Sequence, residues 1–306
     1  MIISASRRTD IPAFHAEWMM ERLRAGYALV RNPFNPNQIS RVSLAREDAE
    51  LIVFWTKNAH NMLHHLPRLD DMGYRYMFQY TFTPYGENIE RNVHKKGAFD
   101  AMLRLSERIG EKRVIWRYDP ILLTEEWTAE KHLKMFSGIC RLLEGRTKRC
   151  VISFVDLYRG VRQRCPWIQA PDERTMRLLA REMAACARTH GMIPSACAEE
   201  IDLTEEGLEA RGCIDAEDVA AVLGAPVDVL PDVGQRNACR CVRSVDIGAY
   251  DTCGHGCVYC YARTGRASGQ MQDAHEPMLG GPVPDGARIS ERTEKRILRE
   301  QISFLD

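Results

Sequence analysis

The chain has no cysteine before Cys140, no net charge, and no apolar run approaching the length of a membrane span. Each absence excludes something. Without an uninterrupted apolar stretch of about 20 residues there is no helix to cross a bilayer. The first charges, Arg7 and Arg8, arrive too early for a secretory h-region, so Met1–Ser6 reads as a buried strand in a cytoplasmic protein. Lys+Arg and Asp+Glu balance at 42 each, which removes the global field that draws a protein to nucleic acid, though a local basic groove stays open. No repeat of fixed period, low-complexity linker, P-loop or strand-bound GxGxxG occurs, and no Ser/His/Asp set can be assembled from sequence.

Cysteine is concentrated where it is present. The chain has eleven, an odd number, and five of them fall between Cys239 and Cys260. That distribution argues against a disulfide framework and for a metal or redox centre.

Apolar β-like runs alternate with amphipathic stretches along most of the chain. The strand readings are Met1–Ser6, Tyr27–Val30, Leu51–Thr56, Arg75–Thr83, Arg113–Tyr118, Cys150–Val155, Pro194–Ala198 and Ser244–Gly248. Helical patterns lie over 13–25, 61–71, 96–109, 129–144, 172–190 and 216–223, and a charged helix is expected over Ile289–Gln301. Eight strands with crossover helices predict an α/β fold, a (β/α)8 TIM-barrel-like unit over residues 1–250, with 251–306 as a cluster loop and tail packed on it. An open doubly wound sheet is the runner-up. Tyr74, Tyr76, Phe78, Tyr80 and Phe82 alternate as a core-facing row.

Polar residues follow the strands: Arg7, Arg8, Thr9 and Asp10; Arg31 and Asn32; Lys57 and Asn58; Arg117 and Asp119; Asp156; Glu199 and Glu200. In a barrel they share the face where active sites form. Taken singly, each is equally a residue that begins a solvated loop. As a set they mark Arg7, Arg8, Asp10, Arg117, Asp119 and Glu199 as catalytic candidates.

Cys253-Gly-His-Gly-Cys257-Val-Tyr-Cys260 has the spacing Cx3Cx2C. Three thiolates on a short glycine-containing loop suit a [4Fe–4S] cluster and leave one iron without a ligand from this motif. By chance the triplet would arise on the order of once in a hundred such chains. Zinc, with His255 or a further cysteine as fourth ligand, is the competing reading; zinc knuckles usually pair two CxxC units, which favours the cluster.

With the aromatic Tyr259 before its last cysteine, this motif is similar to the Cx3CxΦC signature of the radical S-adenosylmethionine (SAM) superfamily. The segments ISASRRTDIPAF, RNPFNPNQ, VFWTKN, FTPYG, RVIWRYDPILL, CAEEIDL and IGAYDTCGHGCVYCYA resemble an uncharacterised bacterial domain-of-unknown-function family whose C-terminal cysteines are similar to that cluster. The resemblance implies an open iron that chelates the amino and carboxylate groups of SAM. It also implies reductive cleavage to a 5′-deoxyadenosyl radical, an unknown substrate, and a low-potential electron donor such as ferredoxin or flavodoxin. Superfamily members usually carry the motif after the first barrel strand, and here it follows the last, so the resemblance implies a circular permutation. On that geometry Tyr259 borders the adenine, Asp10 is the candidate partner of the SAM ammonium, Arg7 or Arg8 lies near its carboxylate, and Lys57 and Asn58 fall near the ribose.

A second set precedes the motif. Cys239 and Cys241, with Cys197 and Cys213, supply four thiolates for a second [4Fe–4S] cluster or a structural zinc. Alternatively Cys197 and Cys213 are small buried hydrophobes. Cys140, Cys150, Cys165 and Cys186 fall on regular patterns and read as packing residues. Positive charge near the motif comes from Arg263, Arg266 and Arg288–Arg299, which also suits a solvated helix. Two rival functions remain beside the radical SAM reading: a SAM-independent iron–sulfur redox protein and a zinc-stabilised nucleic-acid-binding protein.

Overall fold

The computed structural model describes residues 1–264 and 273–298. Ten strands are found there: β1 (Ile2–Ala5), β2 (Tyr27–Asn32), β3 (Asn35–Ser43), β4 (Leu51–Thr56), β5 (Tyr76–Thr81), β6 (Val114–Ile121), β7 (Arg149–Phe154), β8 (Ile193–Ala196), β9 (Val245–Asp246) and β10 (Arg288–Arg292). The helices are α1 (Ile11–Phe14), α2 (Ala16–Ala25), α3 (His60–Leu63), α4 (Leu66–Asp71), α5 (Lys95–Ile109), α6 (Ala129–Leu143), α7 (Arg159–Arg164), α8 (Glu173–Thr189) and α9 (Ala216–Leu223). Among the described residues no helix is long and apolar enough to cross a membrane.

Seven strands form one parallel sheet in the order β8-β7-β6-β5-β4-β1-β9. Apolar runs such as Leu-Ile-Val-Phe in β4 are buried on both sides, as a parallel sheet covered on two faces requires. One face carries Phe54, Tyr76, Phe78, Tyr80, Trp116 and Ile152 against α2, α5, α6 and α8. Those aromatics include the alternating row expected from sequence. The other face presents Ile2, Leu51, Val53, Met77, Ile115 and Val151 to Cys213, Ile214, Val219, Cys241 and Val242.

This second contact corrects the barrel. The sheet does not close, and β8 and β9 are its two edges. A closed barrel fills its interior with side chains from its own strands. Here the excursion between β8 and β9, with α9, covers that face and its cysteines enter the core.

Two element readings are also corrected. Tyr27–Val30 is not a strand of the main sheet. It belongs to β2, which pairs antiparallel with β3, while β10 pairs parallel with β3. The intervening Pro33-Phe34 turn lets the chain reverse at once, so no crossover helix is needed. The tail expected to be helical from Ile289 instead forms β10, where Arg41 reaches Glu291 at 3.2 Å, and then an irregular segment over 293–298; from 299 on it lies outside the described residues.

Beneath the sheet, α6 carries a fully buried histidine. His132 Nε2 donates to the Leu122 carbonyl at 2.8 Å, and its Nδ1 accepts from the Tyr118 hydroxyl at 2.9 Å. Burial pushes its pKa down from 6.5 to about 4, so the folded protein holds it neutral. Between those values the unfolded chain binds the extra proton, and stability falls as pH drops through this window. The expected loss is about 3 kcal/mol by pH 4. Urea melts of the wild type and a His132→Gln variant at pH 7 and pH 4.5 check this; an equal slope in both would remove His132 from the account.

Candidate metal centre

The Cx3Cx2C loop follows β9, which pairs with β1, so it lies beside the residues that leave β1. Backbone contacts with residues 89–92 hold its other side. The Val258 N–H donates to Ile89 O at 3.0 Å, the Asn92 N–H to His255 O at 3.0 Å, and the Asn92 side-chain amide to Gly254 O at 2.7 Å. Arg164 donates to the Cys260 carbonyl at 2.8 Å and closes the far end.

Asp10 ties this loop to the sheet. Its Oδ1 accepts from the Ala13 N–H at 2.9 Å, capping α1, and its Oδ2 accepts from the Lys57 N–H at 2.6 Å and His255 Nε2 at 2.7 Å. Both oxygens are therefore engaged. Asp10 borders the cavity, and the contacts it makes here position the loop. The same contact occupies Nε2 of His255.

Under the loop lies a buried ionic network that sequence reasoning missed. Glu90 is fully buried and accepts from Lys57 Nζ at 2.7 Å, Thr83 Oγ1 at 2.8 Å, Lys95 Nζ and the Tyr259 hydroxyl. Burial alone would raise its carboxyl, but Lys57 and Lys95 outweigh it and hold the pKa near about 2. Lys57 in turn stays charged: burial would lower its pKa, and Glu90, followed by Cys257, raises it. A lone glutamate in the segment Asn88-Ile89-Glu90-Arg91 carries no sequence signal for this role.

The four upstream cysteines converge on the same place. Cys197 continues β8, its N–H donating to Ile152 O at 3.0 Å. Cys213 crosses the sheet face, where its carbonyl accepts from Gln79 at 2.5 Å. The Val242 N–H donates to Ile214 O at 2.9 Å, drawing Cys241 beside Cys213, and the Cys239 N–H donates to Arg236 O at 2.8 Å. Cys197 and Cys213 sulfurs stand 2.9 Å apart. The Cys213 and Cys239 thiols, and Arg7 with them, act on Cys241 and pull its pKa far below the ordinary thiol value. Arg117 donates to Cys213 Sγ at 2.6 Å and also pairs with Asp119. The guanidiniums of Arg7 and Arg117 lie 4.8 and 5.1 Å from the Trp55 ring.

All seven cysteines of the two sets line one cavity of about 380 Å³. Of the candidates named from sequence, Arg7, Arg8, Asp10, Lys57, Tyr259, Arg117 and Asp119 share its walls, and Asp156 joins them. Others do not. Asn58 accepts from the His60 N–H at 3.0 Å at the start of α3. Glu199 accepts from Ser153 Oγ and the Phe154 N–H at 3.0 Å each, and burial raises its pKa to about 7. Arg31 and Asn32 belong to the separate β2–β3 hairpin. Arg236 and Tyr261 line the cavity without having been singled out. Arg266 lies outside the described residues.

A family model described as a domain of unknown function, DUF1848, matches residues 2–262, a span that takes in the seven-stranded sheet and both cysteine sets. The chain belongs to the DUF1848 family. Comparison with curated proteins and with solved structures gave no match. The DUF1848 match ends just beyond Cys260, so the cysteine loop is part of the family's own domain.

Proposed function

We propose that this chain is a radical SAM-like iron–sulfur enzyme whose [4Fe–4S] cluster is held by Cys253, Cys257 and Cys260. The observation that carries the reading is a three-cysteine loop opening on a cavity of about 380 Å³, a size that suits a small-molecule cofactor. The donor set fits: three thiols on a loop with two glycines, one of them at Gly256 with φ +66, and no fourth cysteine within it. When bound, the cluster supplies an electron and an open iron for the amino and carboxylate groups of SAM.

The residues around that position have separable tasks. Lys57 and Glu90 neutralise each other beneath the loop, and the ring of Tyr259, anchored by its hydroxyl to Glu90, forms a flat wall suited to an adenine. Arg7 is committed to Cys241 and Ser244. Arg8 is looser, 4.0 Å from Asp246 and part-exposed, and is the cation available to a carboxylate. Asp119, on the facing wall, is the candidate for an ammonium. The pairing of β9 with β1 supports a permuted relation to radical SAM barrels, since it brings the late loop to the early strand.

The test is anaerobic reconstitution with iron and sulfide, reduction with dithionite, and EPR with and without SAM. A SAM-induced change in the spectrum, with release of 5′-deoxyadenosine, is the expected result. Iron incorporation that ignores SAM would replace this reading by a SAM-independent redox protein. Zinc at the loop would sink both.

A further inference from the structure

We propose that Cys197, Cys213, Cys239 and Cys241 hold a second, fully ligated [4Fe–4S] cluster, facing the first across the same cavity. The four residues come from three stretches of chain and meet as a row, Cys197–Cys213–Cys241–Cys239.

Ordinary core packing does not account for them. Free cysteine is at home in apolar cores, and this protein has an example. Cys140, Cys150 and Cys186 sit together beside the α6–α8 packing, and burial pushes the Cys140 and Cys150 thiols up. Among the described residues no arginine donates to those sulfurs. At the second site Arg117, 5% exposed, puts a guanidinium nitrogen 2.6 Å from Cys213, and Arg7, one of whose buried terminal nitrogens has no hydrogen-bond partner, lines the same cavity as Cys241. A buried cation needs nearby negative charge. Arg117 has one carboxylate partner, Asp119, and among the described residues Arg7 has no carboxylate in salt-bridge contact. Four thiolates around an oxidised cubane carry a net charge of about −2, and the guanidiniums of Arg7 and Arg117 offset part of it.

Charge alone suits zinc equally, and the arrangement of the sulfurs around the cavity bears on the choice. Zinc binds thiolates at about 2.3 Å in a tetrahedron, which places all four sulfurs within about 4 Å of one another. Among the described residues only Glu17, His64 and His65 bring three ligand atoms within 4.8 Å of one another, so no three of these sulfurs do. The row opens on a cavity of about 380 Å³, which leaves room for a cubane once neighbouring sulfurs such as Cys197 and Cys213, 2.9 Å apart without it, spread to its corners. With every iron ligated, such a cluster leaves no position for substrate.

This assignment rests on different residues from the first cluster, and the experiment keeps the two apart. The full chain, reconstituted anaerobically, is expected to hold about eight irons and eight acid-labile sulfides. C253A/C257A/C260A and C239A/C241A should each retain about four, with only the second still responding to SAM. If the double variant does not fold by circular dichroism, the single C239A variant, at a half-buried position, should lower the iron count with the fold intact. A wild-type count of about four that C239A/C241A leaves unchanged would overturn the proposal, as would one zinc lost with these cysteines. If the first site alone fails, the triple variant matches the wild type at about four irons and the second cluster stands.

Discussion

Replacing Glu90 with Gln is expected to destabilise the protein by about 3–5 kcal/mol, the cost of leaving buried charge without its partner. Among the described residues the carboxylate is the sole anion in ion-pair contact with two ammonium groups, Lys57 and Lys95, whose side chains are 13% and 27% exposed. A neutral amide keeps the shape but not the charge, and it offers one acceptor oxygen where four donors now converge. Because Tyr259 is one of those donors, the loss also loosens the cysteine loop, and the variant should take up less iron on reconstitution. Urea unfolding at pH 7 measures the first effect. Combining Glu90→Gln with Lys57→Met should recover part of the loss, since one stranded cation is then gone. A change below about 1 kcal/mol in the single variant would show that water reaches the two ammoniums.

Gly212→Ala should abolish metal loading at the second site. A Cβ built at Gly212 falls 2.4 Å from Arg240 O and 2.6 Å from the Cys241 N. Both are backbone atoms, so no side-chain rotation can relieve the contact. Residues 212–213 and 240–241 must separate, and Cys213 and Cys241 move with them. Overpacking of this kind costs about 1–3 kcal/mol, and the iron count should fall from about eight to about four. Gly138→Ala is the contrasting case. A Cβ there meets nothing within 4 Å, in the interior of α6, and the substitution should stabilise by up to about 1 kcal/mol through helix propensity. Equal iron contents in the two variants would mean that the second site does not depend on this close approach.

The strands of the main sheet were readable because their signal is local. Leu51–Thr56 and Cys150–Val155 are apolar runs with turns at both ends, and they appear as β4 and β7 within a residue. Closure was not readable, since it depends on what covers the second face of the sheet. No pattern in 213–242 announces that this segment packs on Val53, Met77 and Ile115. The tail misled for a related reason: mixed Arg and Glu suit a solvated helix, but an unpaired edge at β3 was available to Arg288–Arg292. The candidate site was legible to the extent that cysteine is rare and its spacing is chemical. Cys197 follows β8, at the opposite edge of the sheet from β9, so adjacency of those strands does not bring it to the other cysteines; the shared cavity does. Asp10 was found by location, but its three donors from 13, 57 and 255 were not, because they meet it only through the fold. Glu90, with no spacing to mark it, needed the structure.

The order of segments along the chain has a consequence for synthesis. Residues 89–92, which clamp the Cx3Cx2C loop, precede Cys253 by 161 positions, and Asp10 precedes it by 243. At roughly 5–20 residues per second, the clamp leaves the ribosome roughly 10–30 seconds before the loop does. The seat is thus built while the ligands are still untranslated. Early, exposed thiols would be open to oxidation or to adventitious metal during that interval. This chain keeps its first cysteine at position 140 and its Cx3Cx2C loop at 253–260, so a nascent polypeptide presents those three thiols only after the strands from β1 to β9 have emerged.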